Sequence, residues 1–326
     1  MNITIVGAGA WGTALGLVLH QNAHRITLWG HDPAHLAEAA TASENRRYLP
    51  GIPLPQGWRF ESDLAAAASG AEVLILSVPS RALRDISSRL SSFSGLAVST
   101  TKGLEHSTGL TMCGILAQTM PGARAAALSG PSLAAEVARG APTAVAVASL
   151  APGVAAQIQG LFHRPTFRVY SSTDVIGVEL GGALKNVIAI AAGACDGFGF
   201  GDNSKAALVT RGLAEMTRIG VACGARAETF SGLSGMGDLT VTCFSKLSRN
   251  RSFGEALCRG GSPAEVLAQR SSIVEGYPTT RSAHALAGRL GLSAPITAEI
   301  HAALFEGKNP RQAVADILGR GSKSEH

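Results

Sequence analysis

A chain of 326 residues is long enough for two domains with separate cores. Its 46% hydrophobic content and mean hydropathy of +0.20 exclude a wholly disordered protein. The net charge of +5 favours anionic partners, yet with 5% aromatic residues and no long lysine or arginine run, phosphorylated small molecules account for it better than nucleic acid.

Met1 runs almost directly into an apolar strand at residues 3–6, leaving no room for a signal segment, so a cytoplasmic protein is expected. Gly7-Ala8-Gly9-Ala10-Trp11-Gly12 follows that strand and opens a helix at residues 13–19, which is the context that gives a Gly-x-Gly-x-x-Gly match its meaning. The glycines have separate jobs. Gly7 permits the tight turn, Gly9 leaves room for a pyrophosphate beside the helix N-terminus, and Gly12 lets helix pack closely on strand. A second strand at 25–29 leads to His31 and Asp32, where a side chain meets the adenosine ribose. Asp32 suits a free 2′-hydroxyl and His31 a 2′-phosphate, so NAD and NADP both stay open. Residues 50–55, proline at each end, are expected to form a surface loop.

Further β-rich runs at 73–78, 96–100, 126–129, 144–148 and 167–170 alternate with helical segments. The alternation predicts an α/β domain of Rossmann type, a mainly parallel sheet flanked by helices. Ligands on such a sheet lie outside the carboxyl ends of its strands, so Ser77 to Ser80, Thr100 to Gly103 and Ser129 to Ser132 qualify by position. Each stretch also reads as an ordinary turn, and Lys102 as an exposed loop lysine. The alternation stops at the capping cluster Ser171-Ser172-Thr173-Asp174. A boundary there makes 1–173 the dinucleotide-binding domain and 174–326 an all-α domain for substrate and catalysis.

Helical stretches are expected at 177–193, 204–220, 250–259, 263–269, 279–288 and 296–306. Lys185 and Asn186 interrupt the first of these, the most apolar in the chain, and by splitting it argue against a membrane span. Burying an ammonium disfavours its charged form and makes a lysine able to exchange a proton, as carbonyl reduction requires. Hydride arriving at a carbonyl carbon develops negative charge on oxygen, which a nearby lysine stabilises and protonates. The competing explanation is a lysine that snorkels, or pairs with a carboxylate such as Glu179, purely for packing. Glycines crowd 193–201 and predict a loop. In 232–254, Gly232, Gly235 and Gly237 allow close backbone approach to a ligand, Asp238 offers a carboxylate, and Ser248-Arg249-Asn250-Arg251 sets hydroxyl, guanidinium and amide side by side. If Ser248 caps a helix, the following N–H groups face an anion; alternatively the block is a glycine-rich turn before a solvated basic helix. The polar tail at 321–326 is expected to fray.

Cys113, Cys195, Cys223, Cys243 and Cys258 are odd in number and include no Cys-x-x-Cys pair, so reduced thiols are expected. His20 with His24 and His31 with His35 share one-turn spacing without the acidic pattern of a metal helix, and no metal is expected.

With Gly7 to Leu15, Gly130-Pro131-Ser132, Leu184-Lys185-Asn186-Val187-Ile188-Ala189-Ile190 and the 232–254 block all in order, the chain resembles the bacterial NAD(P)-dependent glycerol-3-phosphate dehydrogenases nearly end to end. The resemblance implies reversible reduction of dihydroxyacetone phosphate to sn-glycerol 3-phosphate with NAD or NADP, for phospholipid synthesis, and allows a homodimer. It makes Lys185 the proton donor and acceptor, and places Lys102, Gly130, Ser132, Lys185, Asp238, Ser248, Arg249 and Asn250 on the substrate. On the cofactor side it adds Ala10, Trp11, His31, Tyr48, Lys102, Ala134, Arg249, Ile273 and Glu275 to the glycine turn. Ala10 stands where serine is frequent in the family, His31 where arginine is common and Leu133 where phenylalanine often follows Gly-Pro-Ser. Residue chemistry by itself leaves two rivals, a two-domain hydroxy-acid or hydroxyacyl dehydrogenase and a dinucleotide-sensing regulator without turnover.

Overall fold

The computed structural model describes residues 1–270 and 272–319, so the expectation for 321–326 lies outside the described residues. The chain divides into two compact units, Met1–Lys102 with Leu110–Glu179, and Gly103–Gly109 with the chain from Leu180 onward.

The first unit is built on one sheet of eight strands, β1 (Asn2–Val6), β2 (Arg25–Trp29), β3 (Arg59–Glu61), β4 (Val73–Leu76), β5 (Leu96–Ser99), β6 (Arg124–Ser129), β7 (Thr143–Ala148) and β8 (Phe167–Ser172). Their order is β3-β2-β1-β4-β5-β6-β7-β8, parallel throughout except where β7 runs antiparallel to β6. Central strands carry continuous apolar runs because helices cover both faces; all four residues of β4 are fully buried. β3 was not foreseen, being only three residues long and half exposed. The helices of this unit are α1 (Ala10–Gln21), α2 (Pro33–Ala42), α3 (Leu64–Ala68), α4 (Ser80–Ser88), α5 (Met112–Thr119), α6 (Ala134–Ala138) and α7 (Val154–Phe162). The loop expected at 50–55 lies at the surface with Pro50, Gly51 and Pro53 exposed, while Ile52 and Leu54, with Leu49 just before it, are buried in the same core as the inner face of α1 and tie it down.

α8 (Val175–Gly197) begins where the capping cluster predicts, with Asp174 Oδ1 accepting the Gly177 N–H at 2.9 Å. Glu179 in its second turn accepts the Cys113 N–H at 2.8 Å, at the start of α5. Burial raises that carboxyl above its usual range, while donors from Thr111, Cys113 and Met112 pull the other way.

In the second unit α8 continues, followed by α9 (Gly201–Ala222), α10 (Ala227–Ser231), a π-helical turn (Leu233–Gly237), α11 (Asp238–Phe244), α12 (Arg249–Leu257), α13 (Pro263–Ala268), α14 (Gly276–Arg289), α15 (Pro295–Phe305) and α16 (Pro310–Leu318). The loop expected across 193–201 is mostly helix, and the glycines within α8, Gly193 and Gly197, serve packing. A Cβ on Gly193 would overlap the Arg251 carbonyl oxygen, and one on Gly197 would lie 2.7 Å from Cys258 Sγ. From the other side, a Cβ on Gly254 would overlap the Ile190 carbonyl oxygen. α8 and α12 therefore cross backbone against backbone. By length and composition α8 does reach membrane-span standards, with a mean hydropathy of 1.6, contrary to the expectation from Lys185 and Asn186; 94% of that window is buried inside the protein.

One substitution at two glycines should give opposite signs. Gly254→Ala forces α12 off α8 and should lower the unfolding free energy by about 3 kcal/mol. Gly160→Ala, in the last turn of α7 with nothing within 4 Å of its new methyl, should raise it by about 0.5–1 kcal/mol. Urea unfolding of both variants checks the pair.

Candidate active site

In the first unit, Gly7 adopts φ +124°, and a side chain there would place its Cβ 2.5 Å from the Ser77 carbonyl oxygen. A Cβ on Gly12 would overlap the Gly7 carbonyl oxygen, so both residues must be glycine for the turn to close and α1 to dock. Gly9 differs: nothing lies within 4 Å of the position its Cβ would take. That space opens at the N-terminus of α1, which no side chain caps. Trp11 is the second residue of α1, and its indole Nε1 is buried with no hydrogen-bond partner among the described residues. Unclaimed N–H groups around an open, glycine-lined space fit the pyrophosphate of a dinucleotide.

At the end of β2, His31 is exposed and Asp32 caps α2, accepting the His35 N–H at 3.2 Å. Arg47 Nη1 donates to the other Asp32 oxygen at 3.0 Å. Asn45, 1% exposed, ties this corner to the glycine turn by donating to the Ala8 carbonyl (3.0 Å) and Thr13 Oγ1 (2.8 Å). Its Oδ1 lies 2.9 Å from His35 Nε2 and accepts the Tyr48 N–H at 3.3 Å. The Tyr48 ring packs edge-on against His35 at 5.1 Å. Farther along the sheet, Lys102 Nζ and Ser132 Oγ both donate to the Gly130 carbonyl, at 3.0 and 2.8 Å. Gly130 itself has φ +139°, with Val145 Cα 2.9 Å from where a Cβ would stand. Ala134 starts α6 just beyond.

In the second unit Lys185, 6% exposed, sits mid-way along α8 and donates from Nζ to Asp238 Oδ1 at 2.6 Å and to Thr242 Oγ1 at 2.7 Å. Asp238 opens α11 directly after the π turn, and Thr242 follows one helical turn later on the same face. A Cβ on Gly181 would stand 2.5 Å from the Ser234 carbonyl oxygen, which shows how closely the π turn lies on α8. Gly235 corrects the expectation of close approach to a ligand: it faces inward, its Cβ would overlap the Phe230 carbonyl, and it serves packing. Glu179, the other carboxylate considered for Lys185, is engaged at α5.

Ser248 is the N-cap of α12, its Oγ accepting the Arg251 N–H at 3.2 Å. Asn250 Nδ2 donates to Asn186 Oδ1 at 2.8 Å, and Asn250 Oδ1 accepts the Gly276 N–H at 2.9 Å. Within the basic quartet Arg251 turns inward to Asp196 (2.6 Å) and Glu255 (3.1 Å), a structural role. Arg249 stands exposed; desolvation of its guanidinium lowers its pKa from the usual value, the Glu275 carboxylate opposes this, and it stays a cation. Ile273, 38% exposed, lies two residues before Glu275. Burial pushes the Cys243 thiol up to about 12, so it supplies no thiolate beside Thr242.

Lys185 is thus joined to Asp238, Asn250 to Asn186, and Lys102 and Ser132 to Gly130. Sequence reasoning did not single out Thr242, Gly276, Asn45 or Arg47, which hydrogen-bond to candidate residues or to the glycine turn. The spacing of Asp238 and Thr242, four apart on an apolar helix, was the available signal for Thr242.

Residues 2–155 match the profile of the NAD-dependent glycerol-3-phosphate dehydrogenase N-terminus, and residues 174–315 that of its C-terminus. The chain is 46% identical to glycerol-3-phosphate dehydrogenase [NAD(P)+] of Syntrophotalea carbinolica, covering 100% of this chain and 99% of that one. It is 47% identical to the enzyme of the same name from Thioalkalivibrio sulfidiphilus, covering 99% and 98%. The crystal structure of glycerol-3-phosphate dehydrogenase from Coxiella burnetii superposes with a TM-score of 0.95 at 39% identity, covering 98% of this chain and 99% of that one.

Removing one partner of the buried Lys185–Asp238 pair strands the other. Asp238→Ala should lower stability by about 3–5 kcal/mol, whereas Lys185→Met combined with Asp238→Leu should return it to within about 1 kcal/mol of the parent. Denaturant midpoints of the two proteins decide whether the pair serves stability or chemistry.

Proposed function

The chain belongs to the NAD-dependent glycerol-3-phosphate dehydrogenase family, and from that premise we propose how its residues divide the work of interconverting dihydroxyacetone phosphate and sn-glycerol 3-phosphate. Residues 1–173 carry the dinucleotide, NAD or NADP, on the glycine turn with Ala10, Trp11, His31, Tyr48 and Ala134. Residues 174–326 carry the proton and bind substrate, with Arg249, Ile273 and Glu275 also reaching the cofactor. The bound dinucleotide supplies or accepts the hydride at C2 of the substrate.

The observation that carries the reading is Lys185 Nζ held between a carboxylate at 2.6 Å and a hydroxyl at 2.7 Å in the interior of an apolar helix. Held in that position, the ammonium is the proton donor to the C2 oxygen. In the reducing direction Lys185 gives that proton to the developing alkoxide; in the oxidising direction the neutral amine takes it back. Asp238 offsets the cost of burying the charge and fixes its position, which uses electrostatic preorganisation instead of reorganisation during the reaction. The substrate phosphate is held by Arg249 and by N–H groups at the start of α12, the helix whose first turn Ser248 shapes. Lys102, Gly130, Ser132 and Asn250 complete substrate binding, and Lys102 and Arg249 serve both ligands. The enzyme works in the cytoplasm, supplying glycerol phosphate for phospholipid synthesis, and the family resemblance that supports this allows a homodimer; the burial of α8 supports a chain without a membrane span.

Lys185→Ala should lower kcat by about 10²- to 10⁴-fold while the affinity for NADH and NADPH is kept. Stopped-flow hydride transfer at saturating dihydroxyacetone phosphate measures it, and near-normal turnover would remove Lys185 from the chemistry. Arg249→Ala should instead raise KM for dihydroxyacetone phosphate by about 10-fold or more, with a smaller change in kcat. An unchanged KM excludes the phosphate clamp.

A further inference from the structure

The corner where β2 ends decides which dinucleotide the first unit prefers, and it contains a residue that no site assignment above includes. In a Rossmann fold an acidic residue here holds the ribose 2′-hydroxyl, and the same charge repels a 2′-phosphate. Asp32 occupies that place, but both of its oxygens are engaged, one by the His35 N–H and the other by Arg47. The neighbouring carboxylate, Glu44, is likewise engaged, by Arg46 at 3.4 Å and by the Gly51 N–H at 2.7 Å. The corner thus presents an acid already neutralised, with His31 exposed beside it.

Arg47 is not an incidental surface residue. Its segment is fastened to the glycine turn by Asn45, which donates to Ala8 and Thr13 and accepts from Tyr48. Leu49, Ile52 and Leu54 anchor the chain just beyond. The guanidinium lies 5.2 Å from the centre of the Tyr48 ring, within cation–π range. Its ion pair with Asp32 is half exposed, at 50% and 36% for the two side chains, and such pairs are weak and readily exchanged. A phosphate dianion offers a guanidinium a stronger, bidentate partner.

We infer that Arg47 is the specificity-determining residue for NADP, sharing its guanidinium between Asp32 and the 2′-phosphate, while Asp32 remains as the cap of α2. The inference rests on the dinucleotide-binding reading of the first unit and adds to it the chemical group recognised. Because the exchange keeps the corner compact in either state, NAD is accepted as well, with Arg47 staying on Asp32.

The test is calorimetric titration of the whole protein with 2′,5′-ADP and with 5′-AMP, alongside kcat/KM for NADPH and NADH. The parent should bind 2′,5′-ADP about 10-fold or more tighter than 5′-AMP. Arg47→Gln should reduce that preference to within about 3-fold, leave 5′-AMP binding unchanged and lower kcat/KM with NADPH selectively. Asp32→Asn keeps an oxygen for the helix cap, releases Arg47 and should strengthen 2′,5′-ADP binding several-fold, about 3-fold or more. A preference that survives Arg47→Gln, or equal loss of both ligands, overturns the inference. If the 2′,5′-ADP preference behaves as stated but neither coenzyme is oxidised by dihydroxyacetone phosphate, the functional reading falls and this one stands.

Discussion

The backbone of α12 lies against the backbone of α8 with hydrogen atoms in place of side chains, and the chemistry of the second unit depends on that approach. Gly193 and Gly197 on α8 and Gly254 on α12 remove the side chains that would hold the helices at an ordinary separation. Gly276 does the same for the start of α14, where a Cβ would stand 2.7 Å from the Asn186 carbonyl oxygen. Only at this spacing do the short side chains of Asn186 and Asn250 reach each other, and only then can Asn250 also take the Gly276 N–H. Each helical glycine sacrifices roughly 0.5–1 kcal/mol of helix propensity relative to alanine. The return is a fixed distance between the helix that bears Lys185 and the helix whose first turn bears Ser248 and Arg249.

Position and charge are handled by different residues. Asn45 in the first unit and Asn186 with Asn250 in the second are buried amides that act as spacers, each joining segments far apart in sequence. An amide does not titrate, so these joints hold their geometry as pH changes. The two proposed exchanges use ionisable groups instead, Lys185 with Asp238 in the interior and Arg47 with Asp32 at the surface. The two pairs differ as burial requires. The interior one is strongly coupled and costly to break, and the exposed one is cheap to rearrange.

What could be read from the chain beforehand follows from how local each signal is. The glycine turn was legible because strand, turn and helix adjoin in sequence: close contacts require glycine at Gly7 and Gly12, and the space beside Gly9 is open. The parallel sheet was legible from buried apolar runs such as β4, while β3 offered three half-exposed residues and no periodicity. Lys185 stood out because its neighbours are apolar, but its partner lies 53 residues away and is set by the π turn, which no local pattern announces. The helical glycines at 193 and 197 misled for the opposite reason. Local propensity says turn, and the decisive contact is with Arg251 and Cys258 on another helix. Arg47 was passed over because its meaning depends on Asp32, fifteen residues earlier, being already engaged.

The hydropathy of α8 has a consequence for the life of the chain before it folds. As it emerges during synthesis, this segment is apolar enough over 18 residues to be mistaken for a transmembrane helix. Lys185 stands near its middle, and a lysine at the centre of an inserting helix opposes insertion by about 2.5–3.5 kcal/mol. The ammonium that later faces Asp238 thus also weighs against lipid for this helix in the unfolded chain, by the same cost of burying a charge.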